Sequence, residues 1–326
     1  MILMGNDVMV TGGAGFLGSH IVDHLKQCKA EVHVPRSQWV DLTDYRKTEE
    51  YFMLTRPQYV IHCAGYNGGI EFNRRYGADI LFNNSQMAMN VHKAAHRAGV
   101  KKVLSIITSC AYPDNGAEVI PESSLWEGLP NETIRGHGLA KRMLQACAEQ
   151  YHKQYGLDAV TVALTNLYGP RDTFNLVRTK VVGAAINKIV TANMKLEFGL
   201  NTHGLDFGEV PEFWGTGSSR REFMYVEDAA KAVVQALFKY EDHSQPLNIG
   251  IGSDMSIIDL VSTVVETVGY RGQYSWLTDK GDGQMKKLLD TRRMRDLLDV
   301  ELTPFSDGLS KTIEWYKENK EEADKK

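Results

Sequence analysis

The sequence predicts an α/β fold: a doubly wound parallel sheet with helices on both faces, joined to a smaller α/β lobe. Three observations predict it. Short β-branched runs alternate with longer amphipathic segments through the first half. A glycine-rich turn stands where the first run gives way to the first helix. The 326 residues also exceed the roughly 150 of one domain, so about two compact units are expected. In order, Val8–Val10 reads as a strand, and Phe16–Leu25 carries apolar residues at helical spacing. Val32–Val34 is a second strand, and Asp44 is placed to cap a helix running through Phe52. Tyr59–Cys63 and Val103–Thr108 are apolar enough to be strands buried on both faces, with helical spacing over Asn84–Ala98 between them. His137–Tyr155 is another helix and Ala159–Leu164 another strand. This βαβαβ rhythm implies right-handed crossovers.

After Tyr168-Gly169-Pro170 the periodicity loosens. Phe198–Pro211 reads as a surface insertion, Val226–Tyr240 as a helix, Leu247–Gly250 as a strand and Ile257–Val268 as a helix. Lys317–Lys326 is charged enough to be a solvated tail. The expected division is residues 1–170 for one lobe and 171–326 mainly for the other, with about 224–250 able to return to the first.

Composition excludes several classes. A hydrophobic fraction of 43% and a charged fraction of 24% suit a core-forming chain rather than a disordered or fibrous one. With 37 Lys and Arg against 41 Asp and Glu, no basic domain points to nucleic acid. Apolar runs such as Val103–Ile107 fall far short of a membrane span. Met1–Asn6 has no basic segment leading into an apolar one, so no secretory leader is expected. Cys28, Cys63, Cys110 and Cys147 are scattered, without a CxxC or Cys/His cluster. Neither a disulfide framework nor a metal site is expected, and a reducing cytoplasm fits best.

The run Thr11-Gly12-Gly13-Ala14-Gly15-Phe16-Leu17-Gly18 has the form of a Rossmann-type dinucleotide turn. Gly12 permits the tight turn, Gly15 lets backbone approach a diphosphate, and Gly18 lets the helix pack on the strand. The helix start, including Phe16 and Leu17, then offers N–H groups and a positive dipole to phosphate. A carboxylate ending the second strand would select NAD, whereas an arginine suits the 2′-phosphate of NADP. The chain has His33-Val34-Pro35-Arg36 there, so Arg36 favours NADP. Asp41 and Leu42 follow where they would cover the adenine, and Ala64 and Gly65, after the third strand, complete the expected cofactor set.

Several further runs carry a resemblance: Thr108-Ser109-Cys110-Ala111-Tyr112-Pro113, Thr165-Asn166-Leu167-Tyr168-Gly169-Pro170, Trp214-Gly215-Thr216-Gly217, Arg221-Glu222-Phe223 and Lys287-Leu288-Leu289-Asp290. Together with the glycine turn they make the chain resemble the extended short-chain dehydrogenase/reductase superfamily, and within it the GDP-L-fucose synthase family, from Val8 to about Tyr316. That family epimerises C3 and C5 of GDP-4-keto-6-deoxymannose and reduces its C4 ketone with NADPH. Carbons beside a ketone lose protons because the carbanion delocalises into an enolate. Epimerisation therefore needs a base on one face and an acid on the other, while reduction needs a hydride and a proton at C4.

The resemblance carries a Ser/Thr–Tyr–Lys set onto Thr108, position 137 and Lys141, which would anchor the nicotinamide ribose. Position 137 is histidine in Gly136-His137-Gly138. Imidazole has a reference pKa of about 6.5, against about 10 for tyrosine, and Lys141 would lower it further. His137 is open to three readings: a working acid, the mark of a lost or slowed reduction, or an altered form of a tyrosine enzyme. The resemblance makes Cys110 the epimerisation base, provided a cation lowers its thiol pKa from about 8.5, with Lys180 at the partner acid's position. Lys188, Trp214, Arg221 and Lys287 match positions facing the nucleotide diphosphate or its base, Asn166 lies near the sugar, and the Leu167 backbone lies near the nicotinamide. The implied ligands are NADP and a GDP-linked keto-sugar. The implied assembly is a homodimer through the helices around Asn84–Ala98 and His137–Tyr155. A nucleotide-sugar epimerase without net redox, or a weakened cofactor-binding protein, are the rival readings.

Overall fold

The β-branched runs pair side by side into one parallel sheet. A computed structural model of the chain describes residues 2–197 and 210–325. Six strands take part: β1 (Asp7–Thr11), β2 (Glu31–His33), β3 (Tyr59–His62), β4 (Lys102–Thr108), β5 (Asp158–Leu164) and, from far along the chain, a strand at Leu247–Ile249. Between them run α1 (Phe16–Gln27), α2 (Tyr45–Thr55), α3 (Ile70–Arg75), α4 (Gly77–Arg97) and α5 (Arg135–Tyr155). The spatial order is β2, β1, β3, β4, β5, Leu247–Ile249, every pair parallel. From β1 the chain steps to β2 on one side and to β3 on the other, so a crevice opens at the carboxyl ends of β1 and β3.

Alternation along the strands divides the core. Val8 and Val10 face the layer that includes Ile21 and Leu25 of α1. Met9, Val60 and Val103 face Phe52, Val91 and Ala148 on the opposite side. Fully burying one such Phe, Leu or Ile contributes roughly 1.5–3 kcal/mol, more than helix propensity supplies per residue. The Asp44 carboxylate caps α2 by accepting from the Arg46 and Lys47 amides.

The remaining elements are β6 (Asn166–Tyr168), α6 (Val181–Glu197), β7 (Glu212–Trp214), β8 (Arg220–Arg221), β9 (Phe223–Tyr225), α7 (Val226–Lys239), β10 (Leu247–Ile249), β11 (Met255–Ser256), α8 (Ile257–Val268), β12 (Ser275–Leu277), β13 (Lys286–Lys287), α9 (Arg292–Leu297) and α10 (Phe305–Ala323). Of these, α7 packs on α1 and β10 closes the main sheet. The other long helices, α6, α8 and α10, share a second core built on Tyr168, Phe174, Ile186, Val264 and Tyr316. Short pairings, β11-β8-β13, β12-β7 and β6-β9, link this lobe to the crevice.

Three expectations need correction. α4 starts at Gly77, before Asn84, because the first turns of the helix are more exposed and carry a weaker apolar signal. The stretch after Pro170 holds α6, whose buried Val182, Ala185, Ile186, Ile189 and Val190 have clear helical spacing. Lys317–Lys326 is no solvated tail through its described part: α10 continues to Ala323, which is buried. The Asp324 carboxylate then accepts from the Tyr316 hydroxyl at 2.8 Å and the Asn187 amide at 2.9 Å. Most of the expected insertion Phe198–Pro211 lies outside the described residues. Among the described residues, no helix is long and apolar enough to cross a membrane.

Candidate active site

The crevice is lined first by the glycine turn. Gly12 has φ +69°, and a Cβ there would come within 2.7 Å of the Ala64 nitrogen, so the turn lies backbone to backbone on the segment after β3. Gly18 is required where α1 crosses the turn itself: its Cβ would overlap the Gly12 carbonyl, so the close packing is helix on loop rather than helix on strand. Gly15 begins α1 without a side-chain cap, which leaves the first-turn N–H groups, those of Phe16, Leu17 and Gly18, to an anion. Thr11 Oγ1 is hydrogen-bonded to His62 Nδ1 at 2.7 Å and accepts from the Ala64 amide at 3.4 Å, which ties the ends of β1 and β3. This cradle fits a dinucleotide diphosphate. Arg36 is exposed just past β2. The Asp41 carboxylate is held below its usual range by the Thr43 hydroxyl and amide. Leu42, by contrast, turns its side chain into the core beside Phe52, so any cover it gives an adenine comes from backbone.

A second group of side chains gathers at the carboxyl end of β4. The Thr108 Oγ1 caps the turn that follows and accepts from the Cys110 amide at 3.1 Å, and its hydroxyl hydrogen is available to the Cys110 sulfur. α5 brings His137 and Lys141, one turn apart on the same face. Gly138 between them permits this approach: a Cβ there would come within 2.6 Å of Pro130 Cβ and 2.7 Å of the Cys110 carbonyl. Lys141 Nζ donates to the Ile106 carbonyl at 2.9 Å. Burial, and then the Lys180 charge against an opposing Cys63, lower its pKa to about 8. A Cβ on Gly65 would lie 3.7 Å from Lys141 Nζ, so the cofactor loop and the lysine adjoin.

His137 is only 5% exposed, and its Nδ1 has no hydrogen-bond partner among the described residues. Burial, followed by Lys141, Lys180 and Lys287, lowers its pKa to about 3, so the ring is neutral near pH 7. Cys110 is half-buried, and Lys287 Nζ lies 3.6 Å from its sulfur. Burial pushes the thiol up, but Lys287, Thr108 and Lys180 together outweigh it and hold the thiol below its ordinary value. Lys180 itself is exposed, immediately before α6. The other cysteines lack this setting. Burial pushes Cys63 up to about 12 and Cys147 up to about 11, and Cys28 is buried in the first core.

The smaller lobe meets this group edge-on. β13 pairs with β8 so that Lys287 stands opposite Arg221. Arg221 is half-buried, held below the usual guanidinium range by burial against the opposing Cys110 and Asp114. Asn166 donates to the Glu222 carbonyl at 3.0 Å, and Leu167 is buried in β6. Lys188 sits apart from the thiol: its ammonium donates to the Glu212 carbonyl and lies 5.4 Å from the centre of the Phe213 ring, bracing the strand that presents Trp214. Trp214 is 57% exposed.

Sequence reasoning missed the residues that join these parts. The buried Glu222 carboxylate accepts from the Ile251 and Gly252 amides, both at 2.7 Å, and from the Leu289 amide at 3.2 Å. Asn248 donates to the Ile120 and Asp290 carbonyls and accepts from the Tyr112 hydroxyl at 2.6 Å. The runs quoted around Cys110, Glu222 and Lys287 are therefore one interlocked unit. The available signal was an acid set between Arg221 and Phe223 in an otherwise strand-like stretch, where a buried charge must be paired.

Known proteins resemble the chain over most of its length. The NAD dependent epimerase/dehydratase family matches residues 8–252. A GDP-L-fucose synthase from Sinorhizobium fredii is 35% identical over 318 residues, 98% of each chain. The crystal structure of a GDP-L-fucose synthetase from Naegleria fowleri bound to NADP superposes with a TM-score of 0.87 at 27% identity, covering 99% of this chain and 98% of that one. A GDP-6-OMe-4-keto-L-xylo-heptose reductase from C. jejuni gives a TM-score of 0.88 at 25% identity, covering 98% of this chain and 100% of the other. With a glycine cradle at a parallel-sheet switch point and a family match spanning most of its length, the chain belongs to the NAD-dependent epimerase/dehydratase family, of the extended short-chain dehydrogenase/reductase type.

Proposed function

We propose that the chain is an NADP-dependent nucleotide-sugar oxidoreductase that reduces the C4 ketone of a GDP-linked keto-sugar and epimerises the adjoining carbons. One observation carries this reading: Thr108, Cys110, His137 and Lys141 converge beside the glycine cradle, in a chain 35% identical to a GDP-L-fucose synthase along 98% of its length. Gly12, Gly15 and the amides of Phe16, Leu17 and Gly18 would hold the cofactor diphosphate, Arg36 the 2′-phosphate, and Asp41 with the Leu42 backbone the adenine side. Ala64, Gly65, Leu167 and Lys141 would hold the nicotinamide end. NADPH bound there supplies the hydride. Residues 1–170 with about 224–250 form the cofactor lobe in this reading, and residues 171–326 otherwise form the substrate lobe.

The side chains divide the remaining work. Once the Cys110 sulfur has taken up a proton and ceased to be a strong acceptor, the Thr108 hydroxyl donates to the ketone oxygen. Neutral His137 donates a ring N–H to the same oxygen but is too weakly basic to be a charged acid near pH 7. Lys141, with a pKa of about 8, is the acid best matched to that pH, and one helical turn places it to resupply the proton. Cys110 as thiolate withdraws a proton beside the ketone, and Lys180 returns one from the other face. Arg221 and Lys287 suit the diphosphate, with Lys188 bracing Trp214 for the base and Asn166 near the sugar.

A second reading, an epimerase without net redox, is favoured by the contrast between the poised Cys110 thiol and the poor acid His137. One experiment separates the two. The protein is incubated with NADPH and GDP-4-keto-6-deoxymannose in deuterated water. NADPH oxidation with deuterium at C3 or C5 is the expected outcome. Deuterium without oxidation would select the epimerase reading, and neither change would reject both.

We infer a homodimer through the outer faces of α4 and α5, where Phe82 is 65% and Met89 42% exposed. A cytoplasmic location suits a thiol that must stay reduced to act.

A further inference from the structure

We propose that Lys287 is the positioning residue that keeps Cys110 ionised, a task no carboxylate or histidine at this site performs. The proposal rests on the keto-sugar reading above for its purpose, but its evidence is geometric. Lys287 Nζ donates to Cys110 Sγ at 3.6 Å, within hydrogen-bonding reach for sulfur. The lysine is fixed at both ends of its segment. On one side, β13 pairs with β8, Lys287 opposite Arg221. On the other, the Ile120 amide donates to the Leu288 carbonyl at 2.8 Å and the Asp290 amide to the Ile120 carbonyl at 2.9 Å. Ile120 follows Cys110 on the same connection out of β4, so thiol and ammonium are stapled through a short loop of backbone. The buried Glu222 carboxylate holds the Leu289 amide, and Asn248 holds the Asp290 carbonyl.

The charges facing Cys110 come from every packed element. Lys287 is on β13 and Arg221 on β8. Lys180 precedes α6, and Lys141 with neutral His137 belongs to α5. Asp114 acts on Arg221 from the loop after β4. Among the described residues the ammonium nearest the sulfur is that of Lys287, in direct contact, whereas Lys180 is exposed and acts only through its charge. In the step this serves, the bond from a carbon beside the ketone to its hydrogen breaks, a sulfur–hydrogen bond forms, and the electron pair moves onto the ketone oxygen. A lysine that doubles as a diphosphate ligand would also make the thiol sensitive to substrate.

The test reads the thiol directly, without cofactor or substrate. Full-length protein is alkylated with iodoacetamide across a pH series, and modification of Cys110 is followed by peptide mass spectrometry. The wild-type profile is expected to have its midpoint below the ordinary thiol value of about 8.5. Lys287→Met should move it up by about one unit, slowing alkylation roughly tenfold near neutral pH. Lys287→Arg should retain most of the effect, and Lys180→Met should shift the profile less. A Lys287→Met profile that overlays the wild type, or a larger shift from Lys180→Met, would overturn the proposal. Thiolate ultraviolet absorption of wild type minus Cys110→Ser gives the same midpoint without a Lys287 variant, and a value at or above the ordinary one would also overturn it. The NADPH assay stands apart, so loss of this proposal and loss of the reductase reading are distinguishable.

Discussion

Burial and three lysines hold the His137 imidazole neutral, with a pKa of about 3 where an exposed histidine has about 6.5. The sign of the consequence follows from linkage. The unfolded chain takes up a proton as pH falls through about 6.5, and the folded chain does so only near 3, so stability present above 6.5 is lost between these values. His92, lowered to about 4, and His62, lowered well below the usual range, both mainly by burial, act in the same direction. His137→Tyr removes one of these groups. Its melting temperature should fall less between about pH 7 and pH 5 than the wild type's, measured by circular dichroism. A phenol beside Lys141 is also a better proton donor to an alkoxide than a neutral imidazole. NADPH-dependent reduction should rise about tenfold or more on the same variant, toward the usual worth of a placed acid. A fall in rate would instead mark His137 as an adapted donor.

At the scale of elements, α5 is the part whose fit is most exacting. Its first turn approaches both α4 and the turn after Thr108, with Gly136 against the Gly77 carbonyl and Gly138 against Pro130 and the Cys110 carbonyl. Gly138→Ala would gain helix propensity of about 1 kcal/mol. It would also place a methyl within 2.7 Å of the Cys110 carbonyl, and overpacking of that kind costs about 1–3 kcal/mol. The second effect wins. Gly138→Ala should lower the denaturation midpoint and cut turnover more than cofactor affinity, because the displaced group is the turn carrying Thr108 and Cys110. Unchanged stability and turnover would show that α5 can shift without disturbing that turn. The sequence displayed both glycines but not their neighbours, since Pro130 and Cys110 reach them through tertiary packing.

At the scale of the whole molecule, the apolar core of the sheet is distinct from the one that α6, α8 and α10 share. The sheet core takes β10 and α7 from the later part of the chain, and the second core is closed by α10. The end of α10 is locked by Asp324, whose carboxylate accepts from Tyr316, Asn187 and Lys320, and whose carbonyl accepts from Asn175. Asp324→Ala leaves buried donors without acceptors, at about 1–3 kcal/mol. The loss should fall on the second lobe. Thermal unfolding should begin earlier, whereas NADP binding measured by calorimetry should stay within about twofold of wild type. An equal loss of NADP affinity would mean that the two cores unfold as one unit.

The sequence by itself determined the order of the main sheet's early elements, the glycine turn and the residue types offered for chemistry. These depend on period, propensity and short-range backbone geometry, all of which are local. It did not determine that α10 docks, that Leu42 faces inward, or that Glu222 and Asn248 join three distant runs. Only tertiary packing decides which charges are buried, and burial with long-range hydrogen bonding decides whether Cys110 meets Lys287 and how neutral His137 becomes. Such pairings lie far apart in sequence, and their energies arise only when folding removes water from both partners.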